Sequence, residues 1–255
     1  DVLSVLQKIW KEKPETASRL RGRIERVLNF AKVKGWRSGE NPAAWRGNLD
    51  NVLPKPKKLS RGHHPSMPYA QLPDFMASLR EREALAARAL ELAILTGCRT
   101  GEVLEAPWSE FDLEAGIWSI PAPRMKNKKA HRVPLVPETM AILKPLYENR
   151  TNDFVFPGQK PDKPLSEMAM EMVMRRMNVK PFTVHGFRAS FKDWCSDETF
   201  FQWEIVEGSL SHKVGSNVAQ SYRRSDALEK RRQVLQAWTD YCCGAKPGKV
   251  VKLHA

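Results

Sequence analysis

Cysteine is scarce: four in 255 residues, two of them the adjacent Cys242 and Cys243. So few in a chain this long make no disulfide framework, and no C-x-x-C pair marks a zinc site, so a reducing, cytoplasmic setting is expected. Long apolar runs are missing too. The most apolar stretch, Ala84–Leu95, is cut by Arg88 and Glu91 and falls far short of the ~20 residues a membrane span needs. No basic start followed by an apolar run marks a secretory signal. Gly244 and Gly248-Lys249 have the wrong spacing for a phosphate-cradling loop, no hydroxyl follows them, and no H-E-x-x-H occurs. Nucleotide hydrolysis, zinc chemistry and a bound cofactor are therefore not expected. Nor is a cluster of carboxylates built to hold two Mg²⁺ ions evident.

Acidic residues are in deficit, 29 Asp and Glu against 42 Lys and Arg, for a formal net charge of +13. The imbalance is uneven. Residues 1–68 carry 15 basic and 6 acidic side chains, whereas residues 69–255 carry 27 and 23. A small segment much more basic than the rest is the electrostatic footprint of a polyanion partner, set against the blander reading of a solvated charged face. Hydrophobic residues at 42% and aromatics at 9% supply a core and exclude wholesale disorder.

Periodicity organises the chain into four parts. Residues 1–58 read as a small helical domain: Val2–Lys11 at helical spacing, a second helix from Pro14 to Gly35, and a short third opened by Asn41-Pro42. The second helix has an apolar stripe at Leu20, Ile24, Val27, Leu28 and Ala31, with Arg19, Arg21, Arg23 and Arg26 on its other face. Residues 59–68 form a basic, proline-rich linker. Residues 69–243 are mainly α with a small antiparallel sheet (α+β). Helices are expected at Tyr69–Leu79, Arg82–Thr96, Pro137–Tyr147, Ser166–Met177, His185–Ser196, Phe201–Leu210 and Ala227–Cys243. Strands are expected at Trp108–Phe111, Ile117–Ile120 and Arg132–Val136, with Phe154–Phe156 a short extended piece. Residues 244–255 are a loose basic tail. Trp194, Trp203 and Trp238 read as core, and Tyr69, Tyr147 and Tyr241 as packing residues.

The chemical signal is spread along the larger part. It runs through Thr96-Gly97-Cys98-Arg99-Thr100-Gly101-Glu102, Met125-Lys126-Asn127-Lys128-Lys129-Ala130-His131-Arg132-Val133-Pro134-Leu135, His185-Gly186-Phe187-Arg188, Leu210-Ser211-His212 and Ser221-Tyr222-Arg223-Arg224. A lone H-x-x-R would say little, but five such elements in order, ending in a tyrosine, form a specific pattern. This set resembles the tyrosine recombinase (phage integrase) family. The wording around Tyr222 is most like satellite-phage-type integrases of prophages and genomic islands. The resemblance covers residues 1–243.

The resemblance implies a site-specific recombinase that cuts and rejoins DNA through a 3′-phosphotyrosine, integrating or excising a prophage or genomic island. Tyr222 is then the nucleophile, whose linkage to DNA keeps the bond energy without ATP. Arg99 and Arg188 clamp the non-bridging oxygens with paired donors that a lysine cannot supply. His185, three residues from Arg188 and so on one helical face with it, is the candidate base, and His212 a donor to the phosphate. Lys126 protonates the leaving 5′ oxygen, in competition with Lys128 and Lys129, which fit non-specific phosphate contact. Glu102 orients the arginines, and His131 touches backbone or solvent.

The N-terminal helical part corresponds to a core-binding domain, with Arg19, Arg23, Arg26 and the linker residues Lys55, Lys57, Lys58 and Arg61 as phosphate contacts. An N-terminal arm-binding domain usual in this type is absent, so the chain is expected to be a fragment. Expected partners are double-stranded attachment sites, further copies forming a tetramer on paired sites, and accessory DNA-bending and directionality proteins. Two readings compete: a catalytically silent DNA-binding regulator of the same fold, and a type IB-like topoisomerase. The terminal tyrosine argues against the first, and the basic helical N-terminal part against the second.

Overall fold

Pro14 opens the longest helix because a proline at the first helical position gives up only an N–H that has no intrahelical partner. In the computed structural model, which describes residues 1–55, 65–212 and 225–244, that helix is α2 (Pro14–Val33), after α1 (Val2–Trp10). The chain divides into two compact units, Asp1–Gly62 and His63–Ala255.

The first unit has a small core of Leu6, Trp10, Ala17, Leu49 and Leu53. Trp10 stacks on Trp45 at 5.5 Å and donates its indole N–H to the Pro54 carbonyl at 2.8 Å. The expected stripe of α2 is only partly covered: Ala17 is its one fully buried residue, while Val27 is 66% exposed. Arg21 leaves the basic face. It lies half-buried, pairing with Glu25 at 2.7 Å and donating to the Ala43 carbonyl at 2.9 Å. The helix expected at Asn41-Pro42 does not form. The Asn41 amide instead donates to the Glu25 carbonyl and to Asn29 Oδ1, and its oxygen accepts from Ala43 N–H. Such local side-chain bonds offer the backbone an alternative to helix. Only a 3₁₀ turn, Leu49–Asn51, follows.

In the second unit, α3 (Leu72–Arg80) leads to α4 (Leu85–Thr96), whose side chains from Ala89 to Thr96 are all buried. Glu91 in its middle is neutralised by Arg80 at 2.6 Å and Arg88 at 2.7 Å. The helix ends at Gly97, whose φ of +64° suits a residue without Cβ, and where a Cβ would press on Leu210 at 2.8 Å. A short helix that the sequence pattern did not suggest, α5 (Thr100–Leu104), comes next.

The sheet is three-stranded and antiparallel in the order β1 (Phe111–Asp112), β2 (Ile117–Ile120), β3 (His131–Pro134), pairing Trp118 with Val133 and Ile120 with His131. Trp108–Glu110 is a 3₁₀ turn rather than the expected strand. There Glu110 turns inward to accept from Trp118 Nε1 at 2.9 Å and Arg124 Nε at 2.7 Å. Phe154 contributes only a bridge to Pro107.

Among the described residues the remaining helices are α6 (Pro137–Glu148), α7 (Ala169–Arg176), α8 (Phe187–Glu198), α9 (Trp203–Ser209) and α10 (Leu228–Cys242). Val234, Leu235 and Trp238 of α10 pack into this unit's own core, with Trp238 against Phe191 at 5.3 Å and Trp194 at 5.2 Å. Trp203 is the exception among the tryptophans expected to be core. It is half exposed at the start of α9, with the Lys192 ammonium 4.5 Å from its ring centroid.

Candidate active site

The turn after Gly97 makes Arg99 the N-cap of α5, and the third helical residue, Glu102, reaches back to it. Glu102 accepts the Arg99 backbone N–H at 2.8 Å and its guanidinium at 2.7 Å. Glu102 is itself buried, and α5 is pinned from below by Arg124, which donates to the Glu102 carbonyl at 2.8 Å while paired with Glu110. Arg124 had no distinguishing sequence signal.

Arg188 lies in the first turn of α8, 5% exposed. It donates through Nη1 to the Gly97 carbonyl and through Nη2 to the Leu210 carbonyl at 2.7 Å, and Nη2 also meets His212 Nε2 at 2.9 Å. Its Nε is buried with no hydrogen-bond partner among the described residues. Burial, and then the nearby charge of Arg99, pull its pKa down to about 10, so it stays cationic at neutral pH. Two guanidinium groups held close despite mutual repulsion mark a place prepared for an anion.

His212 follows Ser211, a residue in the left-handed region at φ +55°. Its Nδ1 lies 2.8 Å from Glu207 Oε2, and the other oxygen of Glu207 pairs with Lys192 at 2.7 Å. Burial, with Arg188 and Arg99, lowers the His212 pKa against the opposing pull of Glu207. Burial works the other way on Glu207, but Lys192 and His212 outweigh it and hold the carboxyl below its ordinary value.

Lys126 is exposed in the β2–β3 connection. Its neighbour Asn127 donates to both the carbonyl and the hydroxyl of Ser211 at 3.1 Å, which ties this connection to the residue preceding His212. Lys128, at φ +57°, folds its ammonium back to the Pro123 carbonyl at 3.3 Å, and Lys129 is exposed. His131 meets backbone, as expected, and is partly buried. Its ring donates to the Ser209 carbonyl, and burial followed by the Arg231 charge pushes its pKa down to about 4. A cleft of about 1160 Å³, lined by Asn127, His131, His212 and Arg231, opens beside these groups.

His185 is not on α8. It lies exposed in the 3₁₀ turn Val184–Gly186, held by Thr183 Oγ1 accepting the Gly186 N–H at 3.0 Å, and α8 starts two residues later than expected. The turn is close-packed: a Cβ on Gly186 would collide with the Pro65 carbonyl.

Two further arginines belong to the stretch after Tyr222 that carries the resemblance but had no role assigned from sequence. Buried Arg231 donates to the Arg132 carbonyl at 2.6 Å and to Asp226, which also takes a two-pronged pair from Arg132 at 2.7 and 2.8 Å. Arg232 donates to the Leu135 carbonyl at 2.9 Å. Together they fasten the start of α10 to β3.

Tyr222, Lys57, Lys58 and Arg61 lie outside the described residues. In the first unit Arg23 and Arg26 are exposed, as is Lys55, and Arg19 is exposed in an ion pair with Glu15 at 2.5 Å. Among the described residues no helix is long and apolar enough to cross a membrane, and no group of three or more His, Cys, Asp or Glu could hold a metal ion.

Residues 66–229 match the phage integrase family and residues 1–48 the phage integrase central domain. The chain is 34% identical over 247 residues to the prophage integrase IntA of Escherichia coli (strain K12), covering 94% of this chain and 57% of IntA. It is 29% identical over 249 residues to the integrase of Enterobacteria phage P4, covering 90% of this chain and 55% of that one. It thus spans little more than half the length of these relatives. In fold it is similar to the lambda integrase of a tetramer bound to a Holliday junction, at a TM-score of 0.57 and 18% identity, covering 88% of this chain and 63% of that one. With a family match over most of its length and the Arg99, Arg188 and His212 cluster in place, this chain belongs to the phage integrase family, the tyrosine recombinases.

Proposed function

We propose that this chain is the DNA-cleaving and DNA-joining part of a site-specific recombinase that integrates or excises a prophage or genomic island. Tyr222 attacks a backbone phosphorus, the bond to the 5′ oxygen breaks, and a 3′-phosphotyrosine forms. The phenol proton passes to His185, and Lys126 gives a proton to the departing oxygen. Attack by a 5′ hydroxyl on the phosphotyrosine reverses the step and seals the strand. Arg99 and Arg188 take the charge that builds on the non-bridging oxygens, where fixed donors in a water-poor site count for most. Residues 1–58, through Arg19, Arg23, Arg26 and the linker, supply sequence-independent grip on the duplex, and residues 69–243 supply the chemistry. Assembly as a tetramer on paired sites, with accessory bending and directionality proteins, completes the reading; the lambda integrase tetramer on a Holliday junction supports the first part of it.

The observation that carries the proposal is Arg188, buried on two backbone carbonyls and facing His212, with the charge of Arg99, itself braced by Glu102, acting on both. A regulator that only binds DNA has no need of a buried guanidinium beside a second one that repels it. The test selects a duplex from a random pool by binding to this chain, nicks it near the bound centre and looks for a protein–DNA band on a denaturing gel. The chain should give that band, and Tyr222→Phe should bind the duplex equally and give none. A band that persists in Tyr222→Phe would move the nucleophile elsewhere, and no band from the unmutated chain would leave a binding protein.

A further inference from the structure

His212 faces a conflict of hydrogen-bond roles. A guanidinium only donates, so at 2.9 Å from Arg188 Nη2 the His212 Nε2 must accept. Its proton is therefore on Nδ1, donated to Glu207 at 2.8 Å. In that state His212 offers nothing to a phosphate, and it occupies one of the Arg188 N–H groups that a phosphate needs. The two side chains satisfy one another while the site is without DNA.

Resting on the reading of this site as one that cleaves DNA, we propose that Glu207, braced by Lys192, is a positioning residue that turns His212 from an acceptor into a donor when the scissile phosphate arrives. The phosphate takes the Arg188 N–H, and Nε2 loses its partner and picks up a proton from water. The resulting imidazolium donates from Nε2 to a non-bridging oxygen while Nδ1–H stays on the Glu207 carboxylate. The carboxylate makes that protonation favourable, as an anion beside a histidine does. The groups that face His212 are Glu207 from α9, Arg188 from α8 and Arg99 ahead of α5. The two arginine charges oppose protonation until the phosphate neutralises them, so the switch answers to substrate rather than to bulk pH. Lys192 holds the second oxygen of Glu207 at 2.7 Å. This fixes the carboxylate plane and prevents Glu207 from turning to Arg188 itself.

The experiment compares Glu207→Gln, Glu207→Asp and Lys192→Met with the unmutated chain. Covalent product and non-covalent affinity are measured on the selected duplex, and ¹⁵N spectra of His212 are recorded with and without that duplex in a Tyr222→Phe background that stops the chemistry. In the unmutated chain Nε2 should change from an unprotonated to a protonated signal when DNA binds. In Glu207→Gln it should stay unprotonated, with affinity lowered far less than cleavage, which should fall by on the order of 10²-fold, the low end for a lost proton-handling group. Glu207→Asp should recover part of the cleavage and the protonated signal, and Lys192→Met should fall between. Equal cleavage in Glu207→Gln and the unmutated chain, or an Nε2 signal that is the same with and without DNA, overturns the proposal. A lower yield in Glu207→Gln matched by an equal loss of affinity makes Glu207 merely structural and overturns it too. Absence of covalent product from the unmutated chain is a different failure, that of the cleavage reading itself.

Discussion

The two units use arginine in opposite ways. In the second unit Arg124, Arg188 and Arg231 are anchored to carbonyls and carboxylates drawn from distant parts of the chain, and Arg188 and Arg231 are at most 5% exposed. In the first, Arg19, Arg23 and Arg26 stand out along one helix, over a small core built on Leu6, Trp10, Ala17, Leu49 and Leu53. Val27, Phe30, Val33 and Trp36 remain more than half exposed on or just beyond that helix. Buried cations need their partners, and removing one partner of a buried pair costs about 3–5 kcal/mol. Exposed cations act additively and through screening. Single substitutions should therefore act as switches in the second unit and as increments in the first.

The largest effect belongs to Lys126. If it is the general acid, Lys126→Ala should slow cleavage by ~10²–10⁴-fold. Sulfur in place of the bridging 5′ oxygen leaves without a proton, so Lys126→Ala should then cleave nearly as fast as the unmutated chain. Arg99→Ala and Arg188→Ala should stay slow on the sulfur strand, because they act on the non-bridging oxygens. Selective rescue at Lys128 or Lys129 would reassign the acid within the same connection. The back-folded Lys128 ammonium, 3.3 Å from the Pro123 carbonyl, argues for Lys126.

What could be read from the sequence follows the range of the interactions. The three-residue step from Arg99 to Glu102 is a local code, and the structure holds that pair at 2.7 Å. The order of the motifs selected Arg188 and His212, and both are found together. The partners of Arg188 are 91 and 22 residues away, and Arg231 reaches a carbonyl 99 residues back; no spacing rule announces such pairs. Glu207 was within reach, five residues before His212 on an expected helix, but a carboxylate on a helix face is usually solvated. Helix α5, with five residues, is too short for a periodic signal. Trp108 carries strand propensity, which lost to the inward bonds of Glu110, and only Phe111 of that expected strand is extended. Tyr222, on which the proposed chemistry depends, was read from sequence and lies outside the described residues.

A middle-sized effect should come from His131, whose pKa of about 4 in the folded chain lies below its ordinary value of 6.5. Above pH 6.5 the ring is neutral whether folded or unfolded and contributes no pH dependence. Between pH 6.5 and 4 the unfolded chain takes up a proton that the folded chain refuses. Stability therefore falls as pH drops, by roughly 3 kcal/mol across the window. His131→Asn should flatten that part of the urea-melt profile, with the recovered protection appearing in amides of β3 and α10 and not in α1 or α2. An unchanged slope would mean that His131 opens to water in the native state, and the contrast between a sealed second unit and an open first one would weaken.

The smallest effects test the contrast inside the first unit, where Arg21 and Arg23 are two residues apart on α2 but differ in exposure. The Arg21 side chain is 17% exposed, pairs with Glu25 at 2.7 Å and lies 5.9 Å from the Trp45 ring centroid, so it behaves like an arginine of the second unit. Arg21→Ala should destabilise the first unit by about 1.5–3 kcal/mol, the range for a hydrogen bond to a charged group, without changing how binding varies with salt. Arg23→Ala should leave melting unchanged and lower the slope of log affinity against log salt by about 1, the loss of one phosphate contact. Isothermal binding at several salt concentrations, beside a melting curve for each variant, separates the two. If Arg21→Ala reduced the slope and Arg23→Ala lowered the melting point, the basic face of α2 would have to be redrawn around Arg21. Exposure would then be a poor guide to which arginines in this chain meet DNA.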